Sequence, residues 1–171
     1  KVAIARLPKD PNSGGKPEII GTGIAESRGL KSGYIMQEAD VARSIKSAIT
    51  QAEKSAGVTI KRAHVAIGSI GLEEIYSRGE IIPARADSEI TAIDLEKVMQ
   101  DSEDRVNDHI PNRRILHSIP LRHTIDGTVV LGRAQGLKGT KLEVDSLFIT
   151  TFEQHVNDLI KTVEKLGIYV A

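Results

Sequence analysis

The chain has 171 residues, enough for one sizeable domain or two small ones, and its 40% hydrophobic content can supply a buried core. Lys plus Arg equals Asp plus Glu at 23 each, and only three Tyr and two Phe are present, so neither a net field nor a stacking surface invites nucleic acid. Cysteine is absent, which excludes disulfides and thiolate metal sites, and no apolar run of about 18 residues or signal peptide is visible, so a soluble chain is expected.

The chain begins with Lys1, and a strand is already under way at residues 2–7, so a longer parent is expected. The run VAIA, the loop PKDPNSGGKP and the run EIIGTGIA predict a hairpin with a long, mobile tip. A glycine-rich turn over residues 27–33 reads as a plain connection. Val41, Ile45, Ala48, Ile49, Ala52 and Ala56 fall at helical spacing, which predicts a helix over residues 37–56 closed by Gly57. The segment RAHVAIGS predicts a strand buried on both faces, the mark of an α/β layer.

Beyond Gly68 the texture changes, and the charged stretch over residues 71–89 predicts short strands near 72–77 and 80–82. Thr91 and Asp94 form a possible capping box for a second amphipathic helix ended by Pro111. The segment RILHSIPLRHTID predicts a long strand with Ile115, His117, Ile119, Leu121, His123 and Ile125 on one face, and Arg114, Leu116, Ser118, Pro120, Arg122 and Thr124 on the other. Pro120 argues for an edge or a bulge. In TKLEVDSLFITT, Leu142, Val144 and Ser146 share a face, and the apolar LFI predicts passage into a second, buried sheet. Thr150 and Glu153 suggest a capping box for a third helix that stops near Gly167.

Chemistry is harder to find. Gly21, Thr22 and Gly23 lack the third glycine and helix start of a dinucleotide turn, and GRAQGLKGTK has the wrong order for a P-loop. His117 and His123 can share a face, but six residues span about 20 Å of strand, too far for one metal. His117, between Ile115 and Ile119, reads as a core histidine. Asp101, Glu103, Asp104 and Asp108 read as the solvated side of the second helix. No G-x-S-x-G is present. Neither a catalytic group nor a cofactor or metal site is expected.

The segments IIGTGIAESRGLKSGYI (19–35), AITQAEKSAGVTIKRAHVAIGS (48–69), RRILHSIPLRHTIDG (113–127) and GLKGTKLEVDSLFIT (136–150), in this order, resemble the FtsA family of bacterial cell-division proteins, a divergent branch of the actin-like ATPases. The resemblance implies an α/β fold. Residues 1–68 and 149–171 would be part of an actin-like (ribonuclease H-like) subdomain 1A, and residues 69–148 an inserted α+β subdomain 1C of the SHS2 type. The family's Asn-Pro turn is missing at residues 131–137, which keep only its glycine. By the same resemblance, subdomain 1C mediates self-association and recruits later division proteins such as FtsN, at the cytoplasmic face of the inner membrane at the septum. FtsZ, the membrane, and ATP with magnesium would be engaged by other parts of the parent. Half of an ATPase switch and a PilM-type pilus-assembly scaffold are the alternatives. Unpaired strand groups invite a partner strand, so the expected surface is Leu72, Glu74 and Tyr76 on one strand, with Arg114, Ser118 and Arg122 on another.

Overall fold

A computed structural model describes residues 1–8, 10, 14–84 and 87–171. Part of the expected mobile tip, residues 9 and 11–13, lies outside them. The chain divides into two compact units, residues 1–70 with 155–171, and residues 71–154.

In the first unit, β1 (Val2–Arg6) and β2 (Glu18–Gly23) form the predicted antiparallel hairpin, with an irregularity between Ile4 and Ala5. The glycine-rich turn is more than a connection, since β3 (Leu30–Lys31) and β4 (Tyr34–Ile35) pair around Ser32 and Gly33, both at positive φ. Helix α1 (Glu38–Ala56) ends as predicted at Gly57 in the left-handed conformation, whose N–H donates to the Glu53 carbonyl. Its buried residues Val41, Ala48, Ile49 and Ala52 recur at helical spacing because one stripe faces the core.

The strand expected in RAHVAIGS is much shorter. β5 (Arg62–Ala63) pairs in parallel with β10 (Tyr169–Val170) over two residues, and burial alternates along 62–70. Only Ala63 and Val65 turn toward the cluster of Ile49, Val163 and Ile168, so one face of this segment is covered and the other open. Helix α3 (Glu153–Glu164) supplies Val163 and His155 to this unit.

The second unit is a four-stranded antiparallel sheet with one helix. β6 is Glu73–Ile81, α2 is Ala92–Asn107, β7 is Arg113–Ile125, β8 is Thr128–Val129 and β9 is Leu142–Phe152; the strand order is β6-β9-β7-β8. The two short strands expected before α2 are one unbroken strand, because Gly79 lies within β6 and lets α2 come close: a Cβ there would sit 2.1 Å from the Val98 carbonyl oxygen. Thr91 and Asp94 form the predicted capping box in both directions. The Thr91 hydroxyl and N–H also hold the Asp94 carboxyl below the usual carboxylate range.

Ile90, Val98, Leu142 and Val144 are fully buried between α2 and the sheet, and Phe148 anchors a second cluster with Val106 and Ile110. Each such side chain contributes about 1.5–3 kcal/mol of burial. β9 alternates buried and half-buried from Leu142 to Thr150, so it stays in one sheet and the expected passage at LFI does not occur. The anticipated boundary at residues 148 and 149 falls within this strand. The capping box expected from Thr150 does not form either, since Thr150 is a strand residue whose hydroxyl accepts from Arg113 Nε at 3.0 Å.

Candidate protein interaction surface

Directly opposed residues of an antiparallel pair share a face, so the register assigns the faces of this sheet. Ile75, Ser77, Gly79 and Ile81 of β6 lie with Leu142, Val144, Ser146 and Phe148 of β9 on the side covered by α2. Glu74, Tyr76, Arg78 and Glu80 lie with Glu143, Asp145, Leu147 and Ile149 on the side that α2 leaves open.

β7 corrects the sequence reading. Its register with β9 slips between Ile115 and His117 and again between Pro120 and Arg122. Each extra residue reverses the phase of the alternation. Ile115, Ser118, Pro120, His123 and Ile125 therefore share the helix side, and His117, Ile119 and Arg122 the open side. His117 is exposed, not a core histidine, while burial lowers the pKa of His123. Pro120 sits beside the second irregularity in a stretch of β7 that β8 does not reach, as its missing N–H demands.

The open face is organised in transverse rows. Tyr76, Leu147 and Ile119 form an apolar row, with Tyr76 65% exposed. In the next row Asp145 accepts from Arg78 Nε at 2.7 Å and from Arg122 Nε at 2.9 Å. The Arg78 hydrogen bond, then that of Arg122, holds the Asp145 carboxyl below its ordinary range. Beyond it, Lys141 bridges Glu80 at 2.9 Å and Glu143 at 3.2 Å, lowering the Glu80 pKa and raising its own. Tyr76, Ser77, Arg78, Leu121, Arg122, Asp145 and Ser146 line a groove of about 620 Å³.

The structure gathers only some of the expected contact residues. Glu74, Tyr76 and Arg122 share the open face. Ser118 lies on the helix side, where its hydroxyl donates to Glu103 of α2 at 3.0 Å. Glu103 therefore has a partner in this unit and is not simply solvated. Leu72 precedes β6, and Arg114 pairs with Glu153 at 3.1 Å at the far end of β7. Arg78 and Asp145, which carry the charged row, were missed, because the register that aligns them depends on strands far apart in sequence.

The two long strands also differ as edges. β7 is interrupted twice and carries proline, devices that discourage strand addition. β6 holds its register against β9 from Glu73 to Ile81 without a shift and, among the described residues, has no strand on its outer side. The Glu80 N–H donates to Asp101 of α2 at 2.8 Å and so points outward. Backbone groups alternate along a strand, so those of Glu74, Tyr76 and Arg78 point outward too.

Gly21 and Gly23 do not form a phosphate cradle, since a Cβ on either would meet the α1 backbone, the Ala52 carbonyl oxygen at 2.5 Å and that of Ala48 at 1.8 Å. They serve close packing of strand on helix. Among the described residues no three His, Asp or Glu side chains are grouped as metal ligands would be. No described helix is long and apolar enough to cross a membrane.

Residues 72–150 match the family model described as the SHS2 domain inserted in FtsA. Cell division protein FtsA of Streptococcus pneumoniae is 34% identical over 157 residues, which cover 91% of this chain and 34% of that protein. The Escherichia coli K12 protein of the same name is 30% identical over 159 residues, 91% of this chain and 36% of that protein, and the Pseudomonas aeruginosa one 29% identical over 168 residues, 98% and 39%. The chain thus spans about a third of the length of the curated relatives it matches. Among solved structures, the PilM-PilN type IV pilus biogenesis complex aligns with a TM-score of 0.55 at 13% identity, over 93% of this chain and 41% of that one, which establishes likeness of fold alone. Residues 72–150 thus belong to the SHS2 domains found inserted in FtsA, and the chain is similar to FtsA proteins beyond both ends of that match.

Proposed function

We propose that this chain is part of an actin-like adaptor of bacterial cell division, and that its second unit is the surface through which the adaptor associates with itself and with later division proteins such as FtsN. The observation that carries this reading is the similarity to FtsA proteins along nine-tenths of the chain together with an SHS2 sheet whose edge strand, β6, is regular and has no strand on its outer side among the described residues. An exposed edge of that kind offers backbone hydrogen bonds, and the Tyr76 row beside it offers apolar contact.

In the intact parent, FtsZ binding, membrane attachment at the septum, and binding and slow hydrolysis of ATP with magnesium fall to segments outside this chain. The chain is then a scaffold and not an enzyme. A PilM-type scaffold is supported by likeness of fold only, whereas the sequence similarity runs to division proteins. The test is a fluorescent fusion of the intact parent in its own dividing cells, with depletion of the unlabelled protein. Mid-cell bands and filamentous, undivided cells on depletion are expected. Polar or diffuse signal with normal division would contradict the reading.

A further inference from the structure

We propose that β6 is a homotypic edge: two copies of this chain pair antiparallel through residues 74–78 about a two-fold axis at Tyr76, joining two four-stranded sheets into one of eight. The proposal rests on the reading of the second unit as an association surface and specifies its partner as a second copy.

Backbone parity permits this pairing. Glu74, Tyr76 and Arg78 present their N–H and C=O groups outward. A two-fold axis at Tyr76 sets Tyr76 opposite Tyr76 of the second copy and Glu74 opposite Arg78, so every outward residue meets another outward residue. A shift by one residue would set outward groups against inward ones. Asp101 already occupies the Glu80 N–H, which ends the available template one step beyond Arg78.

The side chains agree with that register. On the open face Glu74 meets Arg78 of the second copy twice by symmetry, and the two Tyr76 rings extend the apolar row across the axis. Arg78 gives Nε to Asp145, and its side chain remains 55% exposed. Glu74 makes no ion pair among the described residues. This charge pattern is its own complement about Tyr76, whereas a strand from an unrelated protein would have to supply it.

The two helices share one side of the joined sheet. Such an axis stands perpendicular to the sheet and brings the second α2 to the same side. α2 lies closest to β6 at Gly79, then moves toward β9 and β7, where Val106 and Ile110 pack on Phe148 and Ile115 and Glu103 reaches Ser118. The near end of each helix therefore faces the receding end of the other.

The test is sedimentation equilibrium of the whole chain with Glu74→Arg, Arg78→Glu and the double reversal. Each single reversal creates two like-charged pairs and is expected to weaken association about tenfold. The double reversal recovers association above that of Arg78→Glu, with the part not recovered owed to the lost Arg78–Asp145 contact. Glu74→Arg leaves the Arg78–Asp145 contact intact, which separates loss of pairing from damage to the sheet. Because the chain has no cysteine, Tyr76→Cys gives a second readout. Paired Cα atoms about 5.5 Å apart fall within disulfide reach, so the oxidised variant runs as a covalent dimer.

A monomer at every concentration, or a dimer indifferent to the reversals and not cross-linked at position 76, would overturn the proposal. Binding of the cytoplasmic FtsN segment to β6 without self-association would overturn it in favour of a heterologous strand, leaving the division role to be judged by localisation.

Discussion

Gly79 and Ser102 face each other where α2 crosses β6, and each sets a test at the scale of one residue. A Cβ at position 79 would lie 2.1 Å from the Val98 carbonyl oxygen and 2.9 Å from Ser102 Cβ. Gly79→Ala is expected to destabilise the chain by about 1–3 kcal/mol in urea unfolding, the usual penalty of overpacking. The Ser102 hydroxyl is buried without a hydrogen-bond partner among the described residues. Ser102→Ala should therefore be neutral or stabilising by up to about 1 kcal/mol, against the destabilisation that loss of a made hydrogen bond would bring. His155 is buried against Tyr34, ring centroids 4.8 Å apart, and its Nε2 also lacks a partner among the described residues. Burial pushes its pKa down from 6.5, more than nearby Asp158 pushes it up. The unfolded chain then binds the proton more readily than the folded one, so stability is full above the unfolded value and falls as pH drops below it. Thermal midpoints should decline from about pH 7 to pH 5, and less steeply in His155→Phe, with His123 adding a residual slope of the same sign.

At the scale of elements, α2 depends on a cap that is legible in the sequence as Thr-x-x-Asp before an apolar run. Thr91→Ala is expected to cost about 1 kcal/mol, read as a lowered urea midpoint with unchanged slope. Helix α1 was equally legible, since Gly57 and the apolar stripe are local signals. The faces of β7 were not. Alternation assumes an unbroken phase, and the two irregularities that move His117 to the open side and Ser118 to the helix side are set by pairing with β9. Proline was the sole local hint. A tight hairpin was overlooked although Asp126 and Gly127, both at positive φ, join β7 to β8 in the manner of an Asp-Gly turn. The Asp126 carboxylate also accepts from the Thr140 hydroxyl at 2.7 Å and from the Thr140 and Lys141 N–H groups, which lowers its pKa. β5 was overestimated because an apolar run reads as a buried strand whether or not its neighbours are present.

At the scale of the whole molecule, the resemblance to FtsA supplied an architecture that composition could not, and the family match over residues 72–150 agrees with it. The interaction surface was only half legible. Glu74, Tyr76 and Arg122 do share the open face, while Leu72, Arg114 and Ser118 lie apart from them, and Arg78 and Asp145 emerge only from the register. What distinguishes β6 is relational, the lack of a strand on its outer side among the described residues and an outward N–H sealed at Glu80.

Residue-resolved amide hydrogen exchange over a range of chain concentrations tests that edge most directly. Glu80, held by Asp101, should be protected throughout, while Glu74, Tyr76 and Arg78 exchange rapidly when dilute and become protected together as concentration rises. Protection of all four amides at the lowest concentration, or rapid exchange of Glu74, Tyr76 and Arg78 at the highest, would contradict the account of β6 as an open edge that a second copy completes.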